Sequence, residues 1–347
     1  MCATTRRGGL SMAVKVGLIG ALMSVSVVVG CANRPSDPAA ASPTTERKAA
    51  PATAVVSNMN VGIFPSRMAI DSDAHRLYVG GMGDPTVIDT ATRNKVGAVA
   101  LGGGSYILDG IAVDPSGQKL YLAGVSGTDG NVLVADLASG RVAGTIAVGG
   151  SPGGLVLGPD GKTLYVQYSG ENALKTIDLA TEKVTGAVEL SEPVEAMALN
   201  PVNRTIYAAG NGSSDLLAID ATANKVTGTV PLPDQADDVA VDPKSGTVIA
   251  VGYNGHVMSV DPSTHAVLDS TPLDAVPSDR SLSIDPGAHS IYVTTKEQKS
   301  LSVVDADTHT LTTTVHLDDE PEHVVADPVM HSVFVTTKSG VTVLSGK

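Results

Sequence analysis

Apolar and polar positions along this chain follow one pattern, written several times. The copy at residues 151–190 shows it plainly. An apolar run, Gly154 to Leu157, is followed by a turn from Gly158 to Gly161 and an alternating run from Thr163 to Tyr168. After the turn Ser169-Gly170-Glu171-Asn172 come a third run, Ala173 to Asp178, a polar turn from Leu179 to Lys183 and a last run from Val184 to Leu190. Short runs bounded by Gly, Asn, Asp and Ser predict four strands joined by tight turns. A four-stranded sheet of this size cannot bury both faces alone, so it must stack on copies of itself.

The copies align on one residue of the second strand: Tyr78, Tyr121, Tyr165, Tyr207, Ile249, Tyr292 and Phe334, roughly 43 residues apart. The third strand ends in Asp in six of them: Asp89, Asp136, Asp178, Asp220, Asp261 and Asp305. This period, with four strands per copy and no helical periodicity, predicts an all-β, seven-bladed β-propeller of four-stranded antiparallel blades. The innermost strands carry charge-free triplets such as Met68-Ala69-Ile70, Ile111-Ala112-Val113 and Val239-Ala240-Val241, and are expected to be buried on both faces. The seventh copy stops after its third strand, Val341 to Leu344. Residues Asn60 to Pro65 line up with an outer strand and its following Pro, as in Val148 to Pro152, so an N-terminal strand is expected to complete the last blade and close the ring.

Particular motifs sharpen this. Leu77-Tyr78-Val79 and Leu164-Tyr165-Val166 in the second strand are accompanied by the turns Thr92 to Val96 and Thr222 to Val226 and by the exit Val148-Gly149-Gly150-Ser151-Pro152. Together they resemble the YVTN-repeat β-propeller family over nearly all of residues 60–347. The resemblance implies the fold but no single activity, because such repeats occur in surface-layer-like proteins, secreted binding proteins and the propeller parts of redox enzymes. Two departures stand out: the fifth copy has Val248-Ile249-Ala250 in place of the Leu-Tyr-Val motif, and the second has a longer loop from Ser126 to Asn131.

The first thirty residues do not share the pattern. Lys15 precedes an apolar, small-residue-rich run from Val16 to Gly30, too short for a spanning helix, and residues 1–30 read as a signal peptide. Its end, Val28-Val29-Gly30-Cys31, resembles the bacterial lipobox, which implies a diacylglycerol on Cys31 and a place on the extracytoplasmic face of the cell membrane. Met12 would serve equally as a start, and Arg6-Arg7 is poorly followed for a twin-arginine signal. Residues 31–54, rich in Pro, Ala, Ser and Thr, read as a disordered tether, which leaves 55–347 for the propeller. The two cysteines are Cys2 and Cys31, so the folded part has no disulfide.

Charge and composition narrow the function. The net charge is −13, from 23 Lys and Arg against 36 Asp and Glu, and residues 1–30 hold Arg6, Arg7 and Lys15 but no acid, so the remainder is more acidic still. Such a chain is repelled by nucleic acid, and with aromatics at 3% and no Trp it offers few stacking platforms. The loops leading into the inner strands of copies four to seven are acidic. They hold Glu192 and Glu195; Asp234, Asp237 and Asp238; Asp274 and Asp279 beside Arg280; and Asp318, Asp319, Glu320 and Glu322 beside His323. One rim carrying these carboxylates would suit a divalent cation or a cationic ligand, whereas the ordinary reading is solvated turn chemistry. His75, His289 and His331 share one turn position and His265 and His309 another, which places them on separate blades and not around one ion. There is no G-x-S-x-G, H-E-x-x-H, C-x-x-C or P-loop motif. The expectation is a monomeric binding or scaffolding protein without a resident cofactor, held to the membrane through Cys31 and serving an envelope protein or a small ligand. The alternative is a metal-dependent hydrolase or lyase.

Overall fold

The protein's structure is a computed structural model that describes residues 50–62, 64–210, 212–273 and 276–346. Residues 1–49, with the segment read as a signal peptide, Cys31 and most of the stretch read as a tether, lie outside the described residues, as does Asp274. Twenty-eight strands are found among the described residues, in seven four-stranded antiparallel sheets. Blade 1 spans residues 68–98, blade 2 residues 107–147, blade 3 residues 152–189, blade 4 residues 194–231, blade 5 residues 236–272 and blade 6 residues 282–316. Blade 7 takes three strands from residues 321–345 and its fourth from Ala54–Met59. The seven sheets stand in a ring, a seven-bladed β-propeller with an N-terminal strand completing the last blade.

That strand is not the one read from the sequence. The paired segment is Ala54–Met59, running from Ala54 opposite Ser345 to Met59 opposite Val341. Asn60 to Gly62 and Phe64 to Pro65 instead lie between blade 7 and blade 1, just as Val148 to Ser151 follows the outer strand Arg141–Ala147 without belonging to it. Val61 is buried in the crossing, and its carbonyl accepts the Thr86 hydroxyl at 2.6 Å. Ordered packing also begins ahead of residue 55. Ala52 is fully buried and donates its N–H to the Tyr292 hydroxyl at 2.8 Å, and the Thr53 N–H reaches the Ser345 carbonyl.

The inner strands also differ from expectation. In Met68–Asp71, Val194–Asn200 and Leu282–Asp285 the central residues are only half-buried. Inner-strand residues Met68, Ile111, Leu155 and Met197 line a cavity at the axis, so these strands are not sealed on both faces. The dry core lies between blades, in clusters that each draw side chains from two neighbours, such as Tyr207, Leu216 and Val230 of blade 4 with Val239, Ala250 and Met258 of blade 5.

Two sequence signatures gain physical roles here. The Asp closing the third strand accepts turn N–H groups: Asp178 those of the Thr181 turn, Asp220 those of Thr222 and Ala223, Asp261 those of Ser263 and Thr264. Those bonds to the ionised form hold the Asp178, Asp220 and Asp261 carboxyls below the usual range. The aligned tyrosine is a staple between blades. Tyr165 of blade 3 donates to the Ala221 carbonyl of blade 4 at 2.7 Å, and Tyr207 of blade 4 donates to the Pro262 carbonyl of blade 5 at 3.2 Å. Ala221 and Pro262 occupy the same place, directly after the turn Asp that recurs in these repeats.

Candidate functional site

The channel mouth is built by a defect that recurs in the inner strands. In blade 3 the register shifts between Pro152 and Leu155, around Gly153 and Gly154, and in blades 2, 4, 5 and 7 a single residue is left over, between Leu108 and Gly110, Val194 and Ala196, Ala236 and Asp238, and Pro321 and His323. Each single-residue bulge leaves that residue unpaired and re-aims its side chain. Those residues are Asp109, Glu195, Asp237 and Glu322, all acidic. They sit twelve residues before the aligned aromatic, a position filled by Ser66, Gly153 and Arg280 in blades 1, 3 and 6. The next position around the ring holds Arg67, Gly110, Gly154, Ala196, Asp238, Ser281 and His323.

The two rings line two connected levels. An outer cavity of about 250 Å3 is bounded by Arg67, Asp109, Glu195, Asp237, Asp279 and Glu322. A smaller one of about 120 Å3 adjoins it, where Asp238 and His323 face Gly110, Gly154 and Met197. Arg67 and Asp109 line both levels, with Nε and Oδ1 at 4.0 Å.

Each titratable group in this mouth has a distinct environment. Asp238 Oδ2 accepts the Ser281 hydroxyl and the Leu282 N–H, both at 2.9 Å, and Oδ1 accepts the Val239 N–H. Burial nevertheless pushes its carboxyl above the usual range, against the pull of those bonds and of the Arg67 charge. Ser281 in turn accepts the Val324 N–H, so a single carboxylate ties blades 5, 6 and 7 together. Asp237 is different, because its Oδ2 is buried with no hydrogen-bond partner. Burial pushes this carboxyl up to about 7, with Asp279 and Asp234 adding repulsion and Arg280 opposing it. His323 also has a buried ring nitrogen, Nδ1, with no partner. Burial pushes its imidazole down to about 3, and the Arg67 charge adds to the effect, so the ring is neutral at physiological pH.

Of the sequence candidates, Glu195, Asp237, Asp238, Asp279, Arg280, Glu322 and His323 therefore meet at the mouth. Arg280 serves mainly as a clamp: its guanidinium donates to the carbonyls of Tyr253 at 2.6 Å, Ser278 at 3.0 Å and Val276 at 2.8 Å. Glu192 and Glu320 do not line either cavity. Glu192 lies against Gly210, and Glu320 pairs with Lys338. Arg67, Asp109 and Lys296 were not among the candidates. Lys296 bridges Glu322 at 3.0 Å and Asp279 at 3.7 Å. Asp109 was legible in principle, since it holds the same aligned position as Glu195 and Glu322 although the loop before it is not acidic.

The carboxylates share a rim without converging. Among the described residues no group of three or more His, Cys, Asp or Glu side chains stands close enough to hold a metal ion. At each of the two turn positions the histidines belong to separate blades, although His289 and His309, both of blade 6, line one cleft between blades 5 and 6. His289, His331, His265 and His309 all adopt positive φ, and three of them pair with aspartates: His331 with Asp285 at 2.8 Å, His309 with Asp269 at 3.0 Å, and His289 with Asp307 at 2.8 Å.

No protein-family model and no curated protein matches this chain. Among solved structures it is similar to Kuenenia stuttgartiensis hydrazine synthase, with a TM-score of 0.71 and 19% identity over 83% of this chain and 97% of that one. It is also similar to the β-propeller domain of Myceliophteria thermophila Cps50 (Swd1), with a TM-score of 0.72 and 13% identity over 85% of this chain and 100% of that one. At these identities the likeness establishes the propeller fold alone.

Proposed function

We propose that this chain is a lipid-anchored, extracytoplasmic β-propeller of the YVTN-repeat kind that acts as a non-catalytic binding protein, and that its axial mouth takes a small organic cation. The observation that carries the reading is the bulged ring: four blades independently present a carboxylate at one position, and one of these, Asp237, has a buried oxygen without a donor. An unsatisfied buried acceptor is costly, and an ammonium group brings both the missing N–H and the complementary charge. The outer cavity, about 250 Å3, has room for a small amine and too little for a folded partner. A metal-dependent hydrolase or lyase would need three or more converging ligands, which the described residues do not bring together.

The test is calorimetric titration of the full chain with putrescine, spermidine, calcium and magnesium at low ionic strength. Saturable amine binding is expected, weakened at least tenfold in Glu195→Gln and in Asp237→Asn. It should tighten as pH rises from 6 to 8, because Asp237 ionises in that interval. Silence from every amine would dismiss the ligand class without touching the fold. Anchoring is checked separately by membrane fractionation, where Cys31→Ala should move the protein to the soluble fraction; unchanged membrane association would remove the lipid from this account.

A further inference from the structure

The largest of the described cavities is not at the axis. It is a cleft of about 580 Å3 between blades 5 and 6, at the end of the ring opposite the acidic mouth, walled by Ile249, Leu268, Ile284, Ile291, Ala306 and His309. Its origin is the fifth repeat's departure from the pattern. In blades 3 and 4 the aligned residue is a tyrosine whose hydroxyl reaches the next blade, at Ala221 and Pro262 respectively. In blade 5 it is Ile249, and the equivalent acceptor in blade 6 is the carbonyl of Ala306. The matching cleft between blades 1 and 2, where Tyr78 is present, measures only about 210 Å3.

The partner groups are retained although the tyrosine is gone. Tyr207 stands edge-on to the ring of His265, with centroids 6.2 Å apart and planes at 87°. His309 occupies the position of His265 in the following blade, and its ring is fixed by Asp269 on Nδ1 and Ser259 on Nε2. Leu268, 58% exposed, stands at the opening. We infer that this cleft is a binding site for a small free phenol, which places its aromatic ring over Ile249 against His309 and donates its hydroxyl to the Ala306 carbonyl, as a tyrosine does elsewhere in the ring. The apolar wall supplies the affinity and the Ala306 carbonyl the orientation, while Asp242, Lys244, His289 and Asp307 complete the lining of the cleft.

The test is fluorine NMR of 4-fluorophenol titrated with the full chain. Saturable line broadening is expected with the native protein, at least tenfold weaker binding with Ile249→Tyr, and at least threefold weaker binding for fluorobenzene, which lacks the hydroxyl. Ile249→Tyr is also expected to melt no lower than the native chain, because it restores the side chain used in neighbouring blades. His309→Gly, which suits the φ of 57° at the equivalent His265 and 52° at His309 itself, keeps the turn and should weaken binding at least threefold even if the tyrosine variant fails to fold. No saturable binding by the native chain, or undiminished binding in Ile249→Tyr or His309→Gly, overturns the site. Equal binding of fluorobenzene and 4-fluorophenol overturns the assignment to phenols.

Discussion

Asp237 and His323 impose opposite pH dependences on one small region. The native Asp237 carboxyl keeps its proton up to about 7, whereas in the unfolded chain it ionises near 4. Folding therefore binds a proton between those values, and stability falls as pH rises through that window. For His323 the native ring refuses a proton until about 3, whereas the unfolded ring takes one near 6.5, so stability falls as pH drops through that interval. Asp237→Asn isolates the first effect. It should raise Tm by about 2 °C at pH 8, corresponding to about 1 kcal/mol after allowance for solvent screening, and leave Tm unchanged at about pH 3, where both states largely hold the proton. A variant with the same offset at both pH values would show that Asp237 is not ionised at a cost. The tyrosine staples belong to the same scale. Tyr165→Phe keeps the ring and deletes the hydroxyl that serves the Ala221 carbonyl and the Asn224 side chain, so chemical denaturation should report a loss of about 1–2 kcal/mol with an unchanged m-value.

The inner strand is the element that turns a structural repeat into a surface with chemistry. Its bulge is invisible to periodicity, because one inserted residue changes neither the length of the copy nor its apolar triplet. Fold class, blade count and turn aspartates were legible because each is set by local spacing: alternation, Gly and Asn turns, and the Asp that closes the third strand. Which acids meet was legible only in part. Grouping them by acidic loop found Glu195, Asp237 and Glu322 but also swept in Glu192 and Glu320, which point elsewhere, and passed over Asp109, whose loop carries no other acid. The closing strand was placed too late for a similar reason. Val61 to Pro65 has the look of the exit segment, and Ala54 to Met59 reads as tether because a solvent-facing outer strand needs few apolar residues. Glycines mark where inner strands approach most closely. A Cβ on Gly110 would run into the carbonyl oxygen of Gly153 on the next blade. Gly110→Ala must push two backbones apart, so it should lose more than about 2 kcal/mol and Asp109, one residue away, should leave the rim. A melting temperature equal to the native one would show that the blades are not seated this tightly.

At the scale of the whole molecule, stability depends on closing a ring with a strand that is almost 290 residues from its partner in sequence. Blade 7 by itself ends on Gly340–Ser345, whose Val341, Val343 and Leu344 are buried, and without Ala54–Met59 that strand would present an unpaired edge. Removing residues 1–49 should leave thermal unfolding unchanged, since the described contacts that close the ring begin at Ala52. Removing residues 1–53 takes away Ala52, with its bond to Tyr292 and its place in the core between blades 6 and 7, and the Thr53 bond to Ser345. That truncation should still melt cooperatively, but about 2–3 kcal/mol less stable. Removing residues 1–59 deletes the strand itself and should abolish cooperative melting, with light scattering rising as the bared edge of one copy pairs with another. The three endpoints order the contributions of residues 1–49, the lead-in and the strand along one continuous stretch of chain. If the shortest of the three proteins melted like the longest, blades 1 and 7 would have to be held by their inner strands alone, and the N-terminal strand would be a passenger and not the clasp of the ring.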